Sequence, residues 1–438
     1  MTAETAEALA EDGTKEEKVG GYAWYVLTLL TIVYTFNFVD RQIINIVSPA
    51  IKEDLGLSDS MLGLLKGFAF AILYTTVGLP IAWAADRWNR VNIVTISLAL
   101  WSAFTALSGV ASNAVQLALA RVGVGIGEAG GSPPSHSIIS DYFPKSKRAT
   151  ALAVYSLGIP FGQTLAFLAG GYVLENFGWR SAFLLVGLPG ILLAVLLRLT
   201  VKEPVRGAVD GHKGADIPFK EGIRTLVRIP TFWGVVAGTT LFSFAGYGMA
   251  AWVVDFYRRT YELGYQQITL PLSVINGVVY GLATWAGGYL ADRFGKKTKA
   301  SYAIVPVIGA LIAAPAGLLS VWASTSFFAF FWAAFLTVGL GLYLGPSFGL
   351  IQTLAPVRFR AFATALYFFI LNLIALGMGP WWVGAISDAL AGVHGETTSL
   401  RMALSTLAVP TLLAAVAYFW TSGRVDKDWA HAEALKKG

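Results

Sequence analysis

Apolar stretches of about 20 residues follow one another along almost the whole of this 438-residue chain. A helix of that length crosses the hydrocarbon core of a bilayer. We count twelve such stretches, so the sequence predicts an all-α membrane protein with twelve transmembrane helices. The first six lie at about 22–48, 58–84, 91–111, 113–140, 149–174 and 180–200, and the second six at about 231–257, 266–290, 300–321, 326–353, 361–386 and 400–421.

Composition supports a membrane location and excludes several classes of site. Hydrophobic residues make up 55% of the chain and charged residues 13%, which is more apolar surface than a soluble core can bury. The chain has no cysteine, and its four histidines lack the spacing of metal ligands, so we expect no metal site and no cofactor. We find neither a phosphate-binding Gly-x4-Gly-Lys-Ser/Thr motif nor a nucleophile with a base beside it. We therefore expect neither an ATP-driven pump nor an enzyme.

A short charged loop occurs twice, at 86–90 and at 292–297, and each copy begins Asp-Arg. A second pattern, Pro-x-x-x-Arg-Ala, occurs at 144–149 and again at 356–361. The copies are separated by 206 and 212 residues and run in the same chain direction. The chain therefore contains two parallel repeats of six spans each.

This repeat divides the chain into two bundles with connecting and terminal segments. We predict a polar cytoplasmic tail at 1–21, an N-terminal six-helix bundle at 22–200, a cytoplasmic linker at 201–230, a C-terminal six-helix bundle at 231–421 and a cytoplasmic tail at 422–438. Two bundles related by a parallel pseudo-two-fold axis are typical of a molecule that moves a solute across a membrane.

The basic residues are unevenly divided between the two sides of this topology. With the amino terminus in the cytoplasm, 23 of the 32 Lys and Arg fall in the inner loops and tails, and five fall outside. The positive-inside rule then predicts that both termini are cytoplasmic, in what we expect to be the cell inner membrane. No apolar run precedes Tyr22, so no cleavable signal peptide is expected. Topology explains the net charge of +6, and without a basic face carrying stacking aromatics we expect no nucleic-acid partner.

Several motifs together resemble the major facilitator superfamily. They are the two Asp-Arg loops, Arg121 followed by Gly125 and Gly127 in the fourth span, and Gly-Trp-Arg-Ser-Ala-Phe at 178–183. The resemblance extends from about residue 22 to 421, and it implies two six-helix bundles in which the first and fourth spans face a central cavity. The chain departs from the superfamily pattern at Ala82, four residues before the first loop aspartate, where glycine is usual. The second copy keeps that glycine.

A narrower resemblance is to the spinster-like branch of the superfamily. It rests on Phe-Val-Asp-Arg at 38–41, on Asn89 where the superfamily usually has glycine, and on Gly-Ile-Gly-Glu-Ala at 125–129. This branch implies lipid-like substrates such as lysophospholipids or sphingosine 1-phosphate.

Four ionisable residues fall within the predicted spans: Asp40 and Arg41 in the first, and Arg121 and Glu128 in the fourth. A charge near a helix centre costs roughly 2.5 to 3.5 kcal/mol on insertion scales, so each must be paired or hydrated. Arg121 and Glu128 are seven residues apart, which places them on one helix face about 10 Å apart. They are too far apart for easy direct contact, but both can line one cavity or share partners on the first helix.

We hypothesise that these residues couple a proton to the solute. Glu128 or Asp40 accepts a proton in one access state, while Arg41 and Arg121 hold an anionic headgroup or the deprotonated carboxylate in the other. The alternative is a permanently charged pair that only fastens helices together.

The second half has no comparable charge inside its predicted spans, since Asp255, Arg258 and Arg259 fall near an outer end. It offers aromatic surface instead, against which an amphiphile could place its tail. We assign this apolar cavity wall to Trp252, Tyr280, Tyr367, Phe369 and Trp381. The alternative is that these rings face lipid or pack helices. Lys66, near the outer end of the second span, is expected to snorkel to the interface.

The charged loops indicate gating contacts at the cytoplasmic face. We assign this role to Asp86, Arg87, Asp141, Arg148, Asp292 and Arg293. Asp141 is the expected partner of Arg87, and such contacts would form in the outward-open state and break in the inward-open one. The alternative is that these charges only set the topology, because exposed ion pairs contribute little.

The sequence therefore predicts a secondary transporter that works by alternating access, is coupled to protons and moves a lipid-like or amphipathic organic anion. Its partners would be this solute, protons and membrane lipids, and no obligate protein partner is evident. One alternative is an uncoupled facilitator or proton symporter of a small polar solute such as a sugar or organic acid. Another, from a different class, is a transporter-shaped membrane receptor.

Overall fold

We describe the fold from a computed structural model of residues 19–85, 87–205, 226–355 and 360–437. The helices of the first half are α1 Gly21–Leu55, α2 Asp59–Lys66, α3 Phe68–Ala85, α4 Arg90–Ser108, α5 Ala114–Glu128, α6 Ser132–Tyr142, α7 Lys145–Ser156 and α8 Gly158–Thr200. Those of the second half are α9 Pro230–Tyr261, α10 Tyr265–Val274, α11 Tyr280–Gly295, α12 Ser301–Val321, α13 Ser326–Leu342, α14 Leu344–Leu354, α15 Arg360–Leu371, α16 Gly377–Ser405 and α17 Ala408–Lys437. Most of the predicted linker and of the amino-terminal tail lies outside the described residues.

The helices make twelve crossings, as the sequence predicts. Nine helical segments in the described ranges are long and apolar enough to cross a bilayer. Two of them, Thr150–Thr200 and Phe362–Ala432, contain two crossings each. In each, a glycine with positive φ turns the chain between the crossings: Gly178 at 78° and Gly395 at 75°. The remaining crossing is formed by α5 and α6 together, and the all-α, twelve-helix fold is confirmed.

Polar residues set the start of several helices where the chain returns to the membrane. The side chains of Ser58, Asn89, Asn113 and Thr325 each accept a hydrogen bond from the backbone N–H three residues further on. An N-cap of this kind satisfies a donor that the first helical turn leaves unpaired. The caps therefore mark where spans two, three, four and ten begin.

The two halves of the chain pack against each other through helices that contain glycine. Gly63 in α2 lies so close to α16 that a Cβ atom there would be 2.5 Å from the carbonyl oxygen of Pro380. Elsewhere in the interface, Gly277 faces the side chain of Thr164 in α8. Small residues at these positions let the helix backbones approach closely. Short π-helical turns, Ile275–Val279 and Asn372–Leu376, lie in the spans that make these contacts.

All hydrogen bonds and ion pairs between described residues of the two halves lie at one end of the molecule, which we call the sealed end. It comprises the end of α1, α2, the part of α8 just before Gly178, the end of α9, the start of α10 and the part of α16 up to Glu396. The charged loops lie at the opposite end. The two halves are thus joined by polar contacts at one end of the bilayer.

The last helix extends well past the predicted end of the twelfth span. α17 continues to Lys437, and Val425 within this extension is fully buried. The ring of Trp429 packs against that of Tyr302 in α12, with 5.4 Å between centroids. Of the segment predicted as a tail at 422–438, residues 422–437 are therefore helical, and this helix packs against the second half.

Candidate transport site

A buried ion pair joins the first and fourth spans. Arg121 of α5 donates through Nη1 to Oδ1 of Asp40 in α1 at 3.0 Å, and the two side chains are 2% and 1% exposed. Thr105 of α4 donates its hydroxyl to the other carboxylate oxygen of Asp40. Because both carboxylate oxygens are occupied and shut off from solvent, the pair holds three helices together.

A second pair lies one residue further along α1. Nε of Arg41 is 2.6 Å from Oε2 of Glu128, the last residue of α5. The Arg41 side chain is 21% exposed, whereas that of Glu128 is fully buried. The other carboxylate oxygen of Glu128 has no hydrogen-bond partner among the described residues. The pair therefore combines an accessible guanidinium with a carboxylate that has an unused acceptor.

Aromatic rings surround the guanidinium of Arg41. Its central carbon lies 5.4, 5.1 and 4.6 Å from the ring centres of Phe38, Phe70 and Tyr74. Cation–π contacts of this kind hold a guanidinium in place while leaving N–H groups available for an anion. Tyr247, which belongs to the second half, lies within electrostatic range of Arg41. Arg41 is thus directed towards the space between the two halves.

The four predicted charged residues lie together, but the two pairs are not equivalent. Arg121 and Glu128, seven residues apart on α5, pair with the consecutive residues Asp40 and Arg41 of α1, so each has its own partner there. Thr105 was missed by sequence reasoning. Its hydroxyl also bonds the Trp101 carbonyl oxygen at 2.9 Å, a contact common for threonine in any membrane helix. No local sequence signal marks it as a partner of the site.

The five aromatic residues assigned to the apolar cavity wall fall into two groups. Trp252 and Tyr367 are 0% and 1% exposed, so neither presents a surface to an open cavity, and their assignment is corrected: they pack helices. Tyr280, Phe369 and Trp381 are half-buried, and their assignment to the cavity wall stays a prediction. The two groups differ in burial, and the sequence pattern alone does not show which aromatic residues are buried.

Arg90, and not Arg87, contacts Asp141 at the charged end of the first half. Nη1 of Arg90 is 2.6 Å from the Asp141 carboxylate, and its Nε is 2.6 Å from that of Glu203. Arg87 instead donates to the Trp83 carbonyl oxygen at 3.2 Å and lies over the Trp83 ring. The contact expected between Arg87 and Asp141 is not made here, and because it was expected only in the outward-open state it stays a prediction. Arg90 is the last residue of the same repeated charged loop, and its place in that repeat is the sequence signal that could have identified it.

Two other predicted gating residues lie in the first half. Asp86 falls outside the described residues, so its role stays a prediction. Arg148 donates through Nη2 to the carbonyl oxygen of Ser140 at 2.8 Å, a contact within its own half.

The second charged loop also makes its contacts locally. Asp292 accepts a hydrogen bond from the hydroxyl of Tyr302, and Arg293 donates to the hydroxyl of Tyr289 at 3.3 Å. These contacts brace the loop against its own half, and a gating role for Asp292 and Arg293 stays a prediction.

One contact recurs in equivalent places of the two halves. Just after the sixth span, Glu203 accepts a hydrogen bond from the backbone N–H of Val91 at 2.9 Å. In the extension of the twelfth span, Asp426 accepts one from the backbone N–H of Lys299 at 2.8 Å. In each half, an acidic residue that follows the sixth span thus holds the segment that leads into the third span of that half.

Asp59, the first residue of α2, is the centre of the sealed end. Its carboxylate accepts two 2.7 Å hydrogen bonds from Arg259 of α9 and lies 2.9 Å from Nζ of Lys52 in α1. Ser387 of α16 donates to the same carboxylate at 2.7 Å. Asp388 in turn accepts hydrogen bonds from two backbone N–H groups at the start of α2. A cavity of about 410 Å³, lined mostly by charged side chains, adjoins this network.

Lys66 does not snorkel, so that prediction is wrong. Its ammonium is fully buried and donates to Oδ2 of Asp255 and to the carbonyl oxygen of Ala251, both at 2.8 Å. The ring of Trp252 lies 3.9 Å from the ammonium nitrogen. Ser48 donates to the same Asp255 oxygen at 2.7 Å. The second half thus contributes a buried carboxylate, where the sequence suggested a residue near the surface.

Comparison with known proteins identifies the family. The Major Facilitator Superfamily model matches residues 30–380. An MFS-type efflux pump of Mycolicibacterium smegmatis is 33% identical over 407 residues, which cover 93% of this chain and 94% of the pump. Protein spinster of Drosophila melanogaster is 30% identical over 404 residues, which cover 87% of this chain and 66% of the fly protein.

A solved structure agrees with these sequence matches. It is the crystal structure of a bacterial homolog of the human lysosomal transporter Spinster, in an inward-facing and unoccupied conformation. It superposes with a TM-score of 0.87 at 31% identity and covers 94% of this chain and 99% of that one. With the twelve crossings described above, these matches show that the chain belongs to the major facilitator superfamily, a family of transporters and not of enzymes, and within it to the spinster-like branch.

Proposed function

We propose that this transporter couples the movement of an amphipathic organic anion to protons by alternating access. The observation that supports this most is the ion pair between Arg41 and Glu128. Its cation is partly exposed and lies near Tyr247 of the second half, and its acid retains an oxygen without a hydrogen bond from the described residues. Two groups are enough to couple a proton to an anionic solute: a buried carboxylate that can be neutralised, and beside it a cation that the anion can reach.

In this mechanism the ion pair breaks when the proton binds Glu128 and the anionic solute binds Arg41. Protonation of Glu128 removes its charge and releases Arg41, whose guanidinium then binds the phosphate or carboxylate of the solute. Each ligand thus favours binding of the other, because either one alone leaves a buried charge without its partner. Asp40 and Arg121 have no access to solvent and hold α1, α4 and α5 in place.

The position of the sealed end supports an inward-facing arrangement. If the amino terminus is cytoplasmic, as the distribution of basic residues favours, the sealed end faces the outside. The space beside Arg41 then communicates with the cytoplasm. The inward-facing relative described above has the same overall shape.

An amphipathic solute fits the two walls of this space. The first half supplies Arg41 and its aromatic neighbours, while Tyr280, Phe369 and Trp381 of the second half offer half-buried aromatic surface. The anionic group would bind the first wall and the apolar chain would pack against the second. A small organic acid would contact the first wall alone. Comparing its transport with that of an amphipathic anion therefore tests whether the second wall takes part.

Uptake into proteoliposomes under an imposed pH gradient tests this proposal. The solutes are oleoyl lysophosphatidic acid, monoolein as a neutral lipid of the same chain length, and gluconate as a small hydrophilic acid. Albumin extraction reports which leaflet holds each lipid. We expect gradient-dependent movement of the lysophosphatidic acid alone.

The matched variants are Glu128→Gln and Glu262→Gln. Glu128→Gln removes the acid of the pair and is expected to abolish the dependence on the gradient. Glu262 is exposed at the end of α9, so Glu262→Gln makes the same chemical change away from the site and is expected to keep the dependence. Movement of gluconate in place of the lysolipid would overturn the amphipathic substrate. Transport that ignores the gradient in the unmodified protein would overturn proton coupling.

A further inference from the structure

Lys66 is bound entirely by groups of the opposite half. Its three contacts are the carboxylate of Asp255, the carbonyl oxygen of Ala251 and the ring of Trp252. All three belong to α9, whereas Lys66 lies at the end of α2. Its side chain is fully buried, so bulk solvent does not reach the charge.

The other strong ion pairs at the sealed end behave differently if the two halves move apart as rigid bodies. Asp59 loses Arg259 but keeps Lys52, which belongs to its own half and lies 2.9 Å away. Asp255 loses Lys66 but has Arg259 four residues further along the same helix, with 3.5 Å between the nearest charged atoms. Glu396 loses Lys52, but its side chain is 66% exposed and water can replace the contact. Of the buried charges in these pairs, Lys66 is the one that loses every contact observed in the closed state.

Depth makes this loss important. Lys66 is seven residues into the membrane from Asp59, or about 10 Å along the helix. Charges at the rim can be hydrated when the end opens, but an ammonium at that depth is costly without a counter-charge. In the closed state, the Asp255 carboxylate supplies it.

We propose that Lys66 binds the anionic group of the transported solute when this end of the molecule is open. The phosphate or carboxylate of the solute takes the place of the Asp255 carboxylate. The inference rests on the proposed alternating-access function and adds a second anion-binding residue to it. Lys52 is paired with Asp59 at the rim, and Arg41 lies eleven residues below Lys52, about 16 Å. The two binding residues are therefore about 6 Å apart in depth, a short step for one anionic group.

Substitution of Gly63 gives a way to hold this end open. A side chain there meets the Pro380 carbonyl oxygen and the Trp381 Cα, which are backbone atoms of α16 and cannot rotate away. Gly63→Trp should therefore wedge α2 from α16. Ser387 is fully buried at the sealed end, and the chain has no natural cysteine, so Ser387→Cys reports opening through reaction with a membrane-impermeant maleimide.

The test is equilibrium binding to the purified Gly63→Trp protein, with oleoyl lysophosphatidic acid, monoolein and gluconate as probes. We expect Lys66→Gln in this background to weaken binding of lysophosphatidic acid about tenfold, the usual effect of losing one charge-assisted hydrogen bond. Lys66→Arg should restore most of the affinity. Lys52→Gln, which removes a lysine at the rim, should leave binding of this probe nearly unchanged. Monoolein should not respond to Lys66→Gln.

The outcomes separate this inference from the proposed function. If Ser387→Cys is labelled in the wedged protein and Lys66→Gln binds lysophosphatidic acid as tightly as the wedged parent, the role of Lys66 is overturned while alternating access stands. If the wedge leaves Ser387→Cys unreactive, the two halves do not part at this end and the role of Lys66 in the open state is overturned, while proton-coupled transport is still decided by the uptake assay. A Lys66-dependent affinity for gluconate equal to that for the lysolipid would keep the anion site and assign it to small acids. The double variant Lys66→Gln, Asp255→Asn removes both charges, and its loss of binding excludes an unpaired aspartate as the cause.

Discussion

Asp40 and Arg41 are neighbours in the sequence, yet their side chains lie in different surroundings. Asp40 is 1% exposed and is held by Arg121, whereas Arg41 is 21% exposed and is held by Glu128. Successive residues of a helix point about 100° apart, so one side chain turns into the first half and the other towards the second. We therefore expect changes at the two pairs to affect different properties: stability at the first, and binding of solute and proton at the second.

Asp40→Asn should destabilise the protein more than Glu128→Gln does. The substitution leaves Arg121 buried without a counter-charge, and breaking a buried pair from one side costs about 3 to 5 kcal/mol. Unfolding by SDS in mixed micelles, followed by tryptophan fluorescence, measures the difference. The double variant Asp40→Leu, Arg121→Met removes both charges and should recover most of the loss. Equal stability of Asp40→Asn and Glu128→Gln would contradict the distinction between the two pairs.

The affinity for an anionic solute should increase as pH falls, and Glu128 should be the reason. A proton on Glu128 frees the guanidinium of Arg41, so one proton is taken up with each anion and the dissociation constant falls by up to about tenfold per pH unit. Binding of oleoyl lysophosphatidic acid across a pH series measures this slope. In Glu128→Gln the affinity should not change with pH. The control variant Glu262→Gln should keep the slope of the unmodified protein. A slope that survives in Glu128→Gln would show that another group takes up the proton.

The crossings and the gathering of charges could be predicted from the sequence because each follows from the bilayer. The length of an apolar stretch reflects membrane thickness, and a charge inside a span needs a partner, which brings Asp40, Arg41, Arg121 and Glu128 together. Which acid meets which base could not be predicted. It depends on how α1 is rotated against α5, and residues 40 and 41 differ by only one step of that rotation.

Lys66 shows the limit most clearly. A lysine near the end of a span has the same local sequence whether it reaches for the interface or forms a buried pair. Its partners, Ala251 and Asp255, are 185 and 189 residues away in the other half, so only the packing of the two halves decides. The choice between Arg87 and Arg90 is equally hard to predict from the sequence. Both belong to one loop, and the backbone conformation of that loop decides which of them contacts Asp141.

Arg90→Lys should be strongly destabilising although it conserves charge. Arg90 is 3% exposed, and its guanidinium bonds Asp141 and Glu203 at 2.6 Å each, with further bonds to Ser137 and the Pro204 carbonyl oxygen. An ammonium cannot reach these groups together, so at least one charged contact is lost, at about 1.5 to 3 kcal/mol. The exposed Arg87 provides the control, since Arg87→Lys should stay within about 0.5 kcal/mol. Similar SDS midpoints for the two variants would show that Arg90 is not a structural bridge.

Asp426→Ala should loosen the chain that follows the second charged loop. One carboxylate oxygen of Asp426 accepts from the backbone N–H of Lys299 at 2.8 Å and the other from the Thr298 hydroxyl at 3.0 Å. Loss of a side-chain cap costs about 1 kcal/mol, which corresponds to about fivefold faster amide exchange at Lys299 if exchange follows local opening. Hydrogen–deuterium exchange measures this directly. Lys427, the exposed neighbour, serves as the control, and Lys427→Ala should leave exchange at Lys299 unchanged. Unaltered protection in Asp426→Ala would mean that other contacts of α17, such as the packing of Trp429 on Tyr302, hold the loop.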